Sequence, residues 1–584
     1  MTLRAKPAFD TLIRGARIYD GTGRTPYTAD VGIRGDRIAA IGTLDGASAD
    51  RTIDARGKAL CPGFIDVHSH AEMTLVKPEH PRILEPLVRQ GITTFVGGNC
   101  GTSMAPVFPE KARYVHTFFD FFLGAPQHDN IHWQTFDQML SWVESQGALL
   151  NAGFLAPHGI LRLNVMGDRN ETAGPEDIVA MQGMLADCLD AGALGMSTGL
   201  MYFPGLASDE HELLAMARVL HDRNRVFTSH LRSYNSDTMG RALDEVMDVC
   251  RKAEVPLQVS HLFCIPNLPW PLKQLVDRLL QIGSRVHAAV PLPIPIDGLL
   301  AAQMRKAFAA ADAGEPIGFD TMPTSAGFTH LLAFFPPWVL QGSIPEVLKR
   351  LRDPSSRREI RRSIEEGDVA WPHRGRDSWS FNAFKVMGYG GAFIMSVTTD
   401  KNRHLEGRSF ADIAAEVGKH PFDVVCDLLV EEEGRVLVFE TPTFPGDPFT
   451  ERSVLAALLN PHVSVVTDTI LLGFGLPSHL FYDCYPRLLG TYVRDGRHLT
   501  LAEAIRKSTS LPAEQLGIRE RGRVRTGWFA DLVVFDPARI ASRSTAQDPA
   551  NFPVGIDRVF INGHQVVDPD GFHPDPLPGR VLRA

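Results

Sequence analysis

Through residues 10–60 apolar and polar positions alternate in short runs broken by Gly and Asp: TLIRGARIYDGTG, ADVGIRGDRIAAIG and RTIDARGKALCPGF. A period of two with turn residues at this density predicts antiparallel strands. The tail repeats the pattern in ADLVVFDP (530–537) and DRVFINGHQVVD (557–568), where Asn562-Gly563 is a hairpin signal. Neither end can close a core alone, so residues 1–60 and 516–584 are expected to pair into one small β-sandwich. The middle is different. Mostly apolar runs such as GITTFVGGN, ALGMSTGLMY, RVFTSHLRS, PLQVSHLFC and HVSVVTDT alternate with amphipathic stretches such as EDIVAMQGMLADCLDAG, TMGRALDEVMDVCRKAE and LPWPLKQLVDRLLQIG. Repeated strand-then-helix order implies parallel strands with helical crossovers. Several strands end in His, Cys or Asp, and in (β/α)8 barrels the strand C-termini carry the chemistry. The expected architecture is therefore α/β, a TIM-like (β/α)8 barrel over 61–515 flanked by the β-sandwich. Residues from about 330 to 450, with PPW, LKRLRDPSSRREIRRSIEEGD and FNAFKVMGYGGAF, interrupt the alternation and read as a lid-like insertion.

Composition narrows the function classes. The 584 residues are 44% hydrophobic and 22% charged, which supports a large core and excludes wholesale disorder. The formal net charge is −9 with no basic block, which argues against a nucleic-acid partner. Apolar runs fall short of the ~18–20 residues of a membrane span, and the N-terminus lacks a signal-peptide pattern. Seven scattered cysteines do not suggest a disulfide scaffold. A soluble, cytoplasmic protein is expected.

The sharpest local feature is GFIDVHSH, residues 63–70. Positions i and i+2 of a strand face one side, so His68 and His70 can present two imidazoles to one metal ion. With 21 His in the chain, chance alone supplies roughly 0.75 such pairs, so two polar residues at a strand end explain the motif equally well. Cys100 follows ITTFVG; taken singly, it reads as a small buried hydrophobe. His230 closes VFTSH and His261 closes PLQVSH; each alone reads as a hydrogen-bonded core or surface histidine. Asp468 closes VSVVTD, where a carboxylate is costly unless paired or exposed in a site. Six such groups at five strand ends are improbable as independent accidents, and they supply the N, S and O donors that Zn²⁺ favours.

These residues lie within IDARGKALCPGFIDVHSH, GNCGTSMAP (98–106), GALGMSTGLMYFPG (192–205), SHLR (229–232), VSHL (259–262) and VVTD (465–468). Later come YPRLLGTYVR (485–494), STSLPAEQLGI (508–518) and GWFADLVVFDP (527–537). Together they resemble the amidohydrolase superfamily and, within it, the N-acyl-D-amino-acid deacylase (D-aminoacylase) branch. The resemblance implies a tightly held zinc on Cys100, His230 and His261, and an adjacent weaker metal position at His68 and His70. Asp468 would lie near both, as general base and then acid. The implied partner is a small-molecule amide. The rival readings are a cyclic-amide hydrolase of the hydantoinase or dihydroorotase kind, which usually carries a bridging lysine, and a non-enzymatic binding protein on the same fold.

The chain also departs from the branch. The usual Ser-His-Leu-Lys is Ser260-His261-Leu262-Phe263, and tyrosine-proline-tyrosine is Thr321-Met322-Pro323-Thr324. Ser-Asp-Gly is Thr467-Asp468-Thr469, and His-Pro-Arg is Tyr485-Pro486-Arg487. Arg487 can still grip a substrate carboxylate, but two other donor positions have become apolar, predicting a pocket lined partly by Phe263 and Met322. His158, in APHGILR, is a candidate hydrogen-bond donor to the substrate, or an ordinary structural histidine. Tyr202, after GLM, is a candidate to close over the site, with a core aromatic the stronger reading, and the six remaining cysteines are expected as structural.

Overall fold

Eight short strands lie parallel in chain order: β1 (Phe64–Asp66), β2 (Ile92–Gly97), β3 (Asn151–Phe154, continuing as Ala156–Pro157), β4 (Gly195–Gly199), β5 (Val226–His230), β6 (Leu257–Val259), β7 (Ile317–Thr321) and β8 (Val463–Val465). Each pairs in parallel with the next. Between the ends of β8 and β1 a parallel bridge joins Ser69 to Thr469. There the Asp468 amide donates to His68 O at 2.9 Å and the His70 amide to Thr469 O at 2.8 Å. Buried Tyr485 reaches across the same seam, its hydroxyl 3.0 Å from Val465 O and 3.4 Å from Ile65 O. The ring is thereby closed. In this computed structural model, residues 7–123, 131–268, 272–373 and 376–584 are described. Residues 269–271, in the stretch LPWPLKQLVDRLLQIG, lie outside them; the helix that follows is Leu272–Ala289.

The strands are buried on both faces, which is why β2 and β5 read as continuous runs rather than alternating ones. At the lower half of β3 two residues of the C-terminal tail, Val581–Leu582, pair in parallel with Ala152–Gly153. The tail thus fills an edge that β4 takes over farther along.

Strands from both termini form one nine-stranded sheet, joined where Leu532–Phe535 runs antiparallel to Ala59–Pro62. Ile13, Ile18, Val31, Ile33, Leu532 and Phe560 pack in its own small core. The hairpin Ile556–Ile561/His564–Asp568 turns on Asn562 and Gly563, both at positive φ (49° and 79°), as a type I′ turn requires. A Cβ on Gly563 would lie 2.0 Å from Gly35 O, so the site admits only glycine.

Between β7 and β8 the chain builds a three-stranded antiparallel sheet from Gly327–His330, Leu437–Glu440 and Ala392–Ser396. The charged stretch near 350 forms two helices, Ile344–Arg352 and Pro354–Glu366. Val347, Leu351, Ile360 and Ile364 face inward at helical spacing while the charges face out. Because this segment leaves from the C-terminal end of β7, it stands on the side of the barrel where the strand-end chemistry collects.

Candidate metal centre

All six predicted donors stand at C-terminal strand ends: His68 and His70 after β1, Cys100 after β2, His230 ending β5, His261 after β6 and Asp468 after β8. Three of them, Cys100, His261 and Asp468, adopt positive φ (53°, 32° and 53°). Such backbone costs of order 1–3 kcal/mol per residue and persists only where surrounding bonds enforce it. Those bonds are present. The His261 amide donates to Asp320 Oδ1 at 2.6 Å, and the Gly101 amide to Ser197 Oγ at 2.9 Å. Glycine at 98 lets this turn approach β3: a Cβ there would lie 2.3 Å from Leu155 O.

The donors converge on Cys100. Its Sγ lies 3.2 Å from His68 Nε2, 3.5 Å from His261 Nε2 and 3.6 Å from His230 Nδ1. Asp468 Oδ1 lies 3.5 Å from both His68 Nε2 and His70 Nε2. Two overlapping groups result, His68/Cys100/His261 and His68/His70/Asp468, with ligating atoms within 4.8 Å of one another. Ligand bonds of about 2.0–2.3 Å in a tetrahedron separate ligands by about 3.3–3.8 Å, and the observed contacts match that spacing.

Electrostatics agree. Burial holds His70 and His230 well below the usual imidazole range, and takes His261 down to about 3. These rings are neutral near pH 7, the form that coordinates metal. Burial alone would lower His68 too, but Cys100, Asp468 and Asp320 outweigh it and push His68 up. Burial lifts Asp468 to about 6. Three neutral imidazoles, His70, His230 and His261, beside the Asp468 carboxylate fit a divalent cation, and His68, held up by its acidic neighbours, gives up its proton when it coordinates.

Asp320, at the end of β7, was not among the predicted residues. Its Oδ1 accepts the His261 amide at 2.6 Å and stands 3.5 Å from His68 Nδ1, while its Oδ2 accepts from Gln258 Nε2 at 2.8 Å, so it orients two of the ligands and is itself held in place. The signal was available: GFDT carries a carboxylate at a strand end, just as VVTD does. Tyr202 is more than a core aromatic: its hydroxyl donates to Cys100 O at 2.8 Å and its ring lies 5.0 Å from that of His230.

The predicted substrate residues divide. Phe263 stacks on Tyr234 at 4.4 Å and lies 5.8 Å from the His261 ring, beside the centre. Met322 is buried just beyond β7. Arg487 is engaged elsewhere, 3.4 Å from Glu451 Oε2, 3.8 Å from Asp483 Oδ1 and 3.2 Å from Ser544 O. His158 Nε2 lies 2.7 Å from Glu212 Oε1, in a buried cluster with Arg162. Although burial would raise Glu212, Arg162 and His158 hold it down to about 2. His158 therefore has only Nδ1 to offer a ligand.

Removing the sulfur tests the cluster. Cys100→Ala should purify with at least one equivalent less metal per chain by elemental analysis, while circular dichroism stays unchanged. Full metal content in that variant would exclude Cys100 as a ligand.

A family model described as the amidohydrolase family matches residues 51–353 and 463–567. The chain belongs to this family and is a metal-dependent hydrolase of C–N bonds. It is 31% identical over 575 residues to the N-acyl-D-glutamate deacylase of Alcaligenes xylosoxydans xylosoxydans, covering 98% of this chain and 96% of that one. A crystal structure of D-aminoacylase superposes with a TM-score of 0.73 at 28% identity, over 99% of this chain and 100% of the other. The N-acyl-D-glutamate deacylase of Bordetella bronchiseptica, solved with zinc and a phosphonate mimic of the tetrahedral intermediate, superposes with a TM-score of 0.72 at 28% identity, over 99% and 100%. Among the described residues no helix is long and apolar enough to cross a membrane.

Proposed function

We propose that the protein hydrolyses an exocyclic amide of the N-acyl-amino-acid kind, with zinc as its metal, and that it favours substrates whose carboxyl group is blocked or absent. The observation that carries the reaction is the position of Asp468, whose Oδ1 is 3.5 Å from two candidate ligand nitrogens. It keeps 8% exposure against 1% for Asp320, so it is the carboxylate a substrate can reach. Bound at these residues, zinc supplies a polarised carbonyl and a water acidic enough to lose its proton near neutral pH. Asp468 takes that proton and returns it to the departing amine nitrogen, which leaves poorly unless protonated. Cys100, His230 and His261 would hold the tightly bound ion and His68 and His70 the adjacent weaker position, and Asp320 holds the orientation of His68 and of the His261 backbone.

Two features support a substrate without a free carboxylate. The guanidinium of Arg487 is already shared between Glu451 and Asp483, and Phe263 stands where the related deacylases usually carry lysine. A charge-assisted hydrogen bond contributes about 1.5–3 kcal/mol, so each missing cationic donor lowers affinity by about 10- to 100-fold. Steady-state kinetics on N-acyl-D- and L-amino acids and their amides or esters test this. The blocked compounds should show at least a tenfold higher kcat/KM. A strong preference for the free acids would overturn the substrate assignment.

A further inference from the structure

Phe263, whose ring lies 5.8 Å from that of His261, also lines a cavity of about 120 Å³, walled with it by Ile265, Leu280, Leu300, Val386 and Met387. Into this apolar lining the inserted strand Leu437–Glu440 delivers two polar side chains, Glu440 and the following Thr441. Glu440 is 8% exposed and Thr441 1%. Glu440 Oε2 and Thr441 Oγ1 have no hydrogen-bond partner among the described residues. Burying such groups unpaired is costly, and native proteins rarely do so without a reason. Glu440 is also wedged in place. A Cβ on its ladder neighbour Gly327 would lie 2.9 Å from Glu440 Oε1, so the glycine leaves the space that the carboxylate occupies. The charged residues among the described lining are Glu440 and Asp277, with no lysine or arginine.

We propose that this cavity is the specificity subsite of the enzyme, taking a short aliphatic chain tipped by a cationic or N–H-donating nitrogen that Glu440 accepts. The assignment rests on the amide-hydrolase reading only in treating that chain as part of the substrate. Capacity is consistent: the cavity volume is several times the ~10–15 Å³ that a single water-sized group requires. Charge is consistent as well. Burial lifts Glu440 to about 7, and the geometry decides the sign: the wall carries two carboxylates and no lysine or arginine among its described residues, so it favours a cationic end over a carboxylate one. Thr441 Oγ1 supplies a second acceptor. Discrimination between ammonium and carboxylate ends should reach ~10- to 100-fold.

Calorimetric titration of the metal-loaded, full-length enzyme with n-butylammonium, n-butanol and pentanoate tests the proposal directly. Butylammonium should bind at least tenfold more tightly than pentanoate, and both Glu440→Gln and Glu440→Leu should abolish the difference. Binding through the metal would survive both variants and would overturn the assignment, as would equal or tighter binding of pentanoate, or no binding of butylammonium. Matched N-acyl amides carrying a 4-aminobutyl or a butyl chain should then show the same preference in kcat/KM. Ammonium binding that depends on Glu440 without hydrolysis of either amide would uphold the subsite and defeat the reaction assigned above.

Discussion

Asp468→Asn should lower kcat by about 10²- to 10⁴-fold, the usual range for losing a general acid–base group, with little change in KM. Asparagine keeps the shape of the side chain but cannot accept the proton of the attacking water. The substitution is also mild for the backbone. Asp468 sits at φ 53°, a conformation that asparagine adopts more readily than most residues. Its amide can still donate to His68 O, which preserves the closure of β8 on β1. Cys100, His230 and His261 are untouched, so metal content should fall by no more than the share held at His68 and His70. The informative readout is this combination: a large loss in turnover with metal and KM near wild type. Near-full activity with normal metal content would remove Asp468 from the proton path. A parallel loss of metal would make it chiefly a ligand.

The donors were legible because barrel topology turns a linear rule into a spatial one. Any residue just past an apolar strand lands on the same rim, so His68, Cys100, His230, His261 and Asp468 could be grouped without knowing their contacts. What could not be read were relations that depend on distant segments. Arg487 looked available to a substrate because Glu451, which lies beside it, stands 36 residues upstream in a segment that broke the strand–helix alternation. Glu440 was hidden for the same reason, since its strand pairs with Gly327–His330 and Ala392–Ser396 rather than with the barrel. The charged stretch near 350 masked two ordinary amphipathic helices, because their apolar positions are few and widely spaced between arginines and glutamates. The pairing of Val581–Leu582 with β3 had no local signal, being two residues against two.

The junction between the barrel and the β-domain carries the largest expected stability effect. Arg521 and Asp531 form an ion pair with side chains only 2% and 4% exposed. Asp531 Oδ1 accepts the Asn562 amide at 2.7 Å, and its Oδ2 is 3.3 Å from Asn151 Nδ2. Arg521 also donates to Asn562 Oδ1 at 2.9 Å and stacks on Phe529, its guanidinium carbon 4.0 Å from the ring centroid. Asn562 in turn donates to Asn151 Oδ1 at 2.8 Å and to Pro578 O at 2.7 Å. One network therefore ties β3, the turn of the Asn562–Gly563 hairpin and the chain leading to the C-terminus. Asp531→Ala leaves a guanidinium buried without its counter-charge, and breaking such a pair costs about 3–5 kcal/mol. The double variant Asp531→Leu/Arg521→Met removes both charges and should recover much of that loss, because desolvation no longer goes uncompensated. Chemical denaturation followed by circular dichroism separates the two cases. A double variant as unstable as the single one would mean that the hydrogen bonds to Asn562 and Asn151, rather than charge pairing, hold the junction.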